Sequence, residues 1–336
     1  MSFLGPIRAS NALITRANLP KTCVFVGGTD GIGKASLKSL VSQGSPLKVY
    51  IVGRNEAAHR PFINELSQLN PHAAFKYVEG QISLVADSQR LADQIAAKED
   101  KIDLLFLSAG YLPFTGRQET SEGLEASQVV SYYSHIVFIT RLLSKIRAAA
   151  ANTTGTTRII NILAAGQEST NIFLDDLTLK EPGRFNIPSF AAHAATTVTL
   201  SLKRIAEEAE NKDIVFIHAH PGIVSTDLVK KSWGEKGVPQ GAAGPAGAFA
   251  VSTPEESGER SLYLMTSAEY GGKGVDVPNG RELGQTLTHS TGGSVFSVNS
   301  KMEIIQQDDL LADLEKMGAS QTIWDHTVEA LNSRYV

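Results

Sequence analysis

The chain predicts an α/β fold built on a doubly wound parallel sheet, and three observations lead there. Short, nearly all-apolar runs recur from residue 22 to residue 218; amphipathic stretches of helix length separate them; and the first run breaks into Gly27-Gly-Thr29-Asp30-Gly31-Ile32-Gly33 before a helical pattern begins. Strands that alternate with helices pair in parallel, and helices then cover both faces, so the strands read as continuous apolar runs. Six such runs lie at Thr22–Val26, 48–52, 74–78, 102–108, 157–163 and 214–218. Ligands of sheets like this bind beyond the strand C-terminal ends.

The first strand ends where the glycines start. Gly27 lets the chain turn sharply out of the strand, Gly31 lets backbone approach an anion, and Gly33 lets the next helix pack close to the sheet. That helix is marked by Ile32, Ala35, Leu37, Leu40 and Val41 at helical spacing. Its unpaired N-terminal amides point at whatever the loop holds, and a pyrophosphate suits them. Further along, helical patterns cover 123–151 and 189–211. After Pro221 the pattern loosens into a Gly/Ala/Pro-rich stretch, 234–247, expected to be a substrate-covering lid. A helix at 254–267, a seventh strand at 293–299 and a closing helical region at 308–331 complete the reading. The expectation is a single domain over 1–336, with a dinucleotide-binding core at 20–227 and a covering segment, last strand and helical extension at 228–336.

Composition narrows the partners. With 336 residues and 42% apolar content the chain can bury a full core. A net charge of −4 with no run of Lys or Arg gives no footprint for nucleic acid or an anionic membrane, so a small molecule is the expected partner. Cys23, the single cysteine, lies inside the first strand and reads as a small buried apolar side chain. No stretch approaches a membrane span and no leader pattern is present, so a cytoplasmic protein is expected. Asp175-Asp176 has no histidine or carboxylate cluster to complete a cation site, so no metal is expected.

Several motifs, taken in order, resemble the short-chain dehydrogenase/reductase superfamily. Gly27…Gly31-Ile32-Gly33 is similar to its cofactor loop, Leu107-Ser108-Ala109-Gly110 to its segment after the fourth strand, and His220-Pro221-Gly222-Ile-Val-Ser-Thr226 to its segment after the sixth. Tyr132-Tyr133-Ser134-His135 and Asp175-Asp176-Leu177 resemble a divergent fungal branch. The resemblance implies a Rossmann fold and a nicotinamide dinucleotide. Thr29, Asp30 and Ile32 would line the loop with its glycines; Ser108, Ala109 and Gly110 would lie along the adenosine side; Pro221 and Gly222 would shape the nicotinamide pocket, and Thr226 would bond its amide. At the end of the second strand, Arg54 and Asn55 stand where NAD-preferring members carry an acid, and a guanidinium suits a 2′-phosphate, so NADP(H) is the expected cofactor. Gln81, beside Ile82, takes the place of an aspartate that contacts the adenine amine.

The same resemblance exposes what the chain lacks. The superfamily's proton relay uses a serine after the fifth strand, a Tyr-x-x-x-Lys pair and an asparagine in the preceding helix. Here Ala164 holds the serine position, and two registers compete for the pair: Ser189 and His193 by counting through the loop, Ala191 and Ala195 by counting back along the helix. Ser131 falls at the asparagine position if His135 is aligned on the helix before it. Candidate donors are therefore His193, Tyr133, Ser189, Ser131 and His135, histidine because it exchanges protons near neutral pH. Three functions remain open: an NADP(H)-dependent oxidoreductase of secondary metabolism with an unusual proton donor, a non-redox cyclase or isomerase on the same scaffold, or a catalytically silent dinucleotide-binding protein. Pairing of two copies through the 123–151 and 189–211 helices is expected by analogy.

Overall fold

The computed structural model describes residues 3–151, 156–228 and 252–332. The expected lid at 234–247 lies outside them. Seven strands form one sheet in the order β3-β2-β1-β4-β5-β6-β7: β1 Thr22–Val26, β2 Lys48–Gly53, β3 Ala74–Glu79, β4 Leu104–Leu107, β5 Thr157–Ile162, β6 Ile214–Ala219 and β7 Val295–Val298. All six pairings are parallel. The order reverses between β1 and β4, and a crevice opens there at the strand C-terminal ends.

Helices cover both faces. On one side lie α2 (Gly31–Val41) and α3 (Glu56–Leu69); on the other α4 (Val85–Ala96), α6 (Ser134–Ala150) and α7 (Ile187–Ala206). The core is split by the sheet accordingly: Val24, Leu105, Ile159 and Phe216 face α4, α6 and α7, while Cys23, Phe25, Phe106, Ile160 and Ile217 face the other way. Cys23 is fully buried, and burial pushes its thiol pKa well up, as suits an inert apolar side chain.

Several boundaries move for identifiable reasons. The fourth strand starts at Leu104, and just before it the Asp103 carboxylate accepts hydrogen bonds from the amides of Lys21 and Thr22. The helix read over 123–151 begins as a short turn, α5 (Ala126–Gln128), and a π-helical turn, Val129–Tyr133, before α6. A π turn inserts a residue and rotates what precedes it relative to the helix that follows. The helix read over 189–211 stops at Ala206, where the Asn211 side chain donates to the Ile205 carbonyl at 2.7 Å. The region read over 308–331 is two helices, α9 (Asp308–Lys316) and α10 (Ala319–Asn332), separated by Gly318 at φ +70°. An N-terminal helix not anticipated from sequence, α1 (Leu4–Asn11), buries Leu4 and Ile7 and packs on α8 (Pro254–Thr266).

Helix α10 lies across α7 and the π turn. Tyr132 bonds Thr327 at 2.5 Å and Ser201 at 2.7 Å, Tyr133 bonds His326 at 2.7 Å, and Arg204 stacks on Trp324. One face of α7 therefore carries the chain's own C-terminal helix. Among the described residues no helix is long and apolar enough to cross a membrane.

Candidate functional site

The glycine loop closes against the segments that follow β4 and β6. A β-carbon on Gly27, which sits at φ +94°, would lie 2.6 Å from the Ala109 amide nitrogen. One on Gly33 would lie 2.3 Å from the Gly27 carbonyl oxygen and 2.4 Å from Ser108 Oγ. On Gly31, at φ +50°, it would touch the Thr226 methyl at 3.4 Å. Gly110 in turn faces Ser131, whose hydroxyl would lie 3.5 Å from a β-carbon there. Residues far apart in sequence thus converge on one loop, with the free amides of α2 at its centre and Asp30 at the N-cap.

The end of β2 carries positive charge. Arg54 is exposed, and with Lys34 of α2 it acts on His59, whose pKa is lowered first by burial and then by these two cations. Lys34 also rests 4.6 Å from the centre of the Phe62 ring. Sequence reasoning missed Lys34, although a cation in the first turn of the helix after the loop was visible. The Asn55 side-chain oxygen accepts the Ala58 amide at 2.9 Å and caps α3. Gln81 donates to Ser83 at 2.6 Å while its amide bonds Asp87, and Ile82 turns half-buried against the core.

The strand ends facing α7 define the second half of the site. Thr199 of α7 meets His218 of β6, Oγ1 to Nδ1, at 2.7 Å; one and two turns earlier on that helical face stand Ala195 and Ala191. These are the two positions that the register counted back along the helix gives to the Tyr-Lys pair. Ala164 follows β5, and its amide donates to His218 Nε2 at 3.3 Å. The donors then order in one direction: His218 gives its Nδ1 proton to Thr199, and Thr199 gives its own to Glu168 at 2.5 Å. Glu168 also accepts from the Gly166 amide and from Gln307, each at 2.7 Å. Burial alone would raise this carboxyl, but the contacts with His218, Thr199 and Gln307 outweigh it and hold the pKa at about 2. The result is a buried, satisfied network that fixes residues 164–168. Nothing in the sequence flagged Glu168 or Thr199, since neither belongs to a motif.

The predicted donors separate. His193, which is 1% exposed, accepts the Phe173 amide on Nε2 at 2.9 Å and stacks on that ring; burial lowers its pKa to about 4. It anchors the 173 loop and stays neutral at neutral pH, so it is not an imidazolium acid there. Ser189 shares that outer face and starts α7, its amide bonded to Asn186. Tyr133 points to His326 in α10. Only Ser131 and His135 lie against the Ala109–Gly110 strap. His135 is fully buried close to Asn161 and the Ala109 backbone without a well-aligned hydrogen bond to either, and burial lowers its pKa to about 4. Asp175 forms a two-point pair with Arg184, and Asp176 accepts the amides of Lys180 and Glu181, so both carboxylates fix their loop. No group of metal-ligating side chains occurs among the described residues.

Residues 21–171 match the short chain dehydrogenase family. Over its length the chain is 33% identical to "Oxidoreductase AN1596" of Emericella nidulans, with 97% of each protein covered. It is similar in fold to an NADPH-bound carbonyl reductase from chicken fatty liver (TM-score 0.55, 16% identity, 86% of this chain and 100% of that one). It is also similar to the NADH-dependent reductase A1-R′ of alginate metabolism (TM-score 0.53, 19% identity, 85% and 98% covered). The chain belongs to the short-chain dehydrogenase/reductase family.

Proposed function

We propose that the protein is an NADP(H)-dependent oxidoreductase acting on a small organic carbonyl, imine or activated alkene of secondary metabolism, in a cytoplasmic setting. The observation that carries this reading is the closure of the loop on both ends of the cleft: Gly27 and Gly33 against Ser108-Ala109, and Gly31 against Thr226. A relic would have no reason to keep the segment that serves the reacting ring packed on the segment that serves the phosphates. Arg54 and Lys34 support a 2′-phosphate, which carries charge that NADH lacks.

The bound dinucleotide supplies hydride, and the chain's residues supply binding, orientation and a proton route. Thr226 and the Pro221-Gly222 turn, which follow β6, would hold the nicotinamide ring. Where the usual acid and its partners would stand the chain carries Ala164 and, in the register counted back along the helix, Ala191 and Ala195, so a water would have to bring the proton. Ser131, the predicted donor lying against Gly110, is the hydroxyl best placed to pass a proton from that water to the substrate. Loss of a positioned acid typically costs about 10²–10⁴-fold in rate, so slow turnover is part of the reading. The test is titration with NADPH and NADH followed by turnover on a panel of ketones, imines and enones. Tighter NADPH binding with turnover that falls in Ser131→Ala supports it; no dinucleotide binding overturns it. The three alanines also favour a second reading, a cyclase or isomerase that works by shape; product formation without any NADPH consumption would select it.

A further inference from the structure

Two histidines, one in β6 and one at its exit, reach the loop that follows β5. His218 Nε2 accepts the Ala164 amide; two residues on, a step that returns to the same side of a strand, His220 Nε2 lies 3.2 Å from Gln167 Nε2. The sheet ladder runs on to His220, whose amide donates to the Val298 carbonyl at 2.8 Å, while Leu163 on the neighbouring strand end donates to Ala219 at 2.9 Å. Gln167 is held as well: its amide donates to the Ala164 carbonyl at 3.0 Å and closes the turn 164–167. The imidazole is thus tied to the turn that starts at Ala164, the serine position of the relay, and it directly precedes Pro221-Gly222. A helix that joins two parallel strands runs back against them, so the turn of α7 before Thr199 is nearer the strand ends than Thr199 itself. His218 meets Thr199, and one step further out along the two elements stand His220 and Ala195.

This ring differs from its neighbours in having an open nitrogen. Both nitrogens of His135 are shut away from water without a partner, and both of His218 are bonded. His220 is half-buried; it uses Nε2 on Gln167, while Nδ1 bonds none of the described residues and is not shut away. The Gln167 contact also fixes where the proton sits. A side-chain amide nitrogen only donates, so with the Gln167 amide so oriented Nε2 must accept, and the single proton of the neutral ring is held on Nδ1, the open side. The surroundings keep the ring neutral: burial first, then His218 and Arg260, lower its pKa, and Glu168 acts in the opposite sense without prevailing. A neutral imidazole with a fixed N–H can polarise a carbonyl and hold the charge that develops on its oxygen without giving up its own proton.

We propose that His220 is a catalytic residue whose Nδ1–H donates a hydrogen bond to the carbonyl oxygen of the substrate, with Gln167 as the positioning residue that holds the tautomer. This rests on the oxidoreductase reading above. As the carbonyl carbon takes up hydride, the π electron pair moves onto oxygen; the proton arriving through Ser131 completes the alcohol, and His220 ends as it began. The test uses the full chain, the ketone of the panel that is reduced fastest, and nitrogen-15 spectra of the histidine rings. The parent should show His220 as the Nδ1–H tautomer, assigned by the signal lost in His220→Gln. His220→Leu should lower kcat about 10²-fold, as loss of an oxyanion donor does, with NADPH affinity within twofold, and His220→Gln, which restores an N–H, should recover part of the loss. Gln167→Glu tests the positioning. Its carboxylate would accept from Nε2, leaving Nδ1 bare in the neutral ring, while the imidazolium, favoured by the new charge, still offers Nδ1–H. Relative to the parent, turnover of this variant should be kept at about pH 6 and lost as the pH rises through the raised pKa. Should His220→Leu fail to fold, the parent tautomer and the Gln167→Glu profile carry the comparison. The proposal is overturned if the parent ring is the Nε2–H tautomer, if His220→Leu keeps the parental kcat, or if Gln167→Glu follows the parental pH profile. NADPH binding without reduction of any ketone would remove the proposal together with the oxidoreductase reading; reduction undiminished in His220→Leu would remove the proposal alone.

Discussion

A methyl group at Gly33 has nowhere to go, since it would lie 2.3 Å from a backbone oxygen that cannot rotate away. Gly33→Ala is therefore expected to weaken NADPH binding at least tenfold while the far-ultraviolet circular dichroism stays unchanged; parental affinity in the variant would contradict the cradle. Arg54 and Lys34 have no such backbone role. Replacing both by alanine should lower NADPH affinity by about tenfold per lost cation and leave NADH within twofold, read from paired titrations. Gly33 and Arg54 were legible in the sequence because a close approach and an exposed cation are local demands that the residue type itself reveals, whereas Lys34 was passed over as an ordinary helix cation. His193 was not legible in the same way. Its role depends on which loop amide reaches Nε2, and no spacing within α7 encodes the position of Phe173. His220 was hidden for a related reason: in sequence it is only the residue ahead of Pro221-Gly222, and the fold alone brings its ring to Gln167.

At the scale of elements, the strands were read from composition because both faces of the sheet are covered, and all six expected runs end within a residue or two of the observed bounds. What composition could not supply was the side-chain contact that closes an element, such as Asn211 beyond α7. The π turn before α6 was equally invisible, yet it decides that Tyr133 faces α10 and Ser131 faces Gly110. The contact between α8 and α2 offers a direct check. Gly258→Val would push α8 off the helix that follows the cofactor loop; a loss of roughly 1–3 kcal/mol in urea unfolding is expected, together with weaker NADPH binding. A variant as stable as the parent would show that the two helices separate freely. Tyr132→Phe removes a hydroxyl shared by Ser201 and Thr327 and should cost about 1 kcal/mol by the same measurement.

For the whole molecule, the buried histidines set the acid limit. His135 has a pKa of about 4 in the fold against 6.5 when unfolded, so below pH 6.5 the unfolded chain takes up a proton that the native chain refuses. Its contribution is intact above pH 6.5 and is lost as the pH falls towards 4, a change of roughly 3 kcal/mol by linkage. Glu168 acts with the same sign lower down: its contribution is present above the ordinary carboxyl value of 4.5 and disappears as the pH drops towards 2. Denaturation midpoints measured from pH 7 to pH 4 should therefore fall, and His135→Asn should flatten the slope; an unchanged slope would place the proton uptake elsewhere. The placement of α10 has a different kind of consequence. A flank sealed by a segment of the same polypeptide, tethered through a turn at Gly318, is closed at an effective concentration fixed by covalent connection. Dilution cannot strip that cover away, so the shape of this side of the cleft is the same in a crowded cell and in a nanomolar assay.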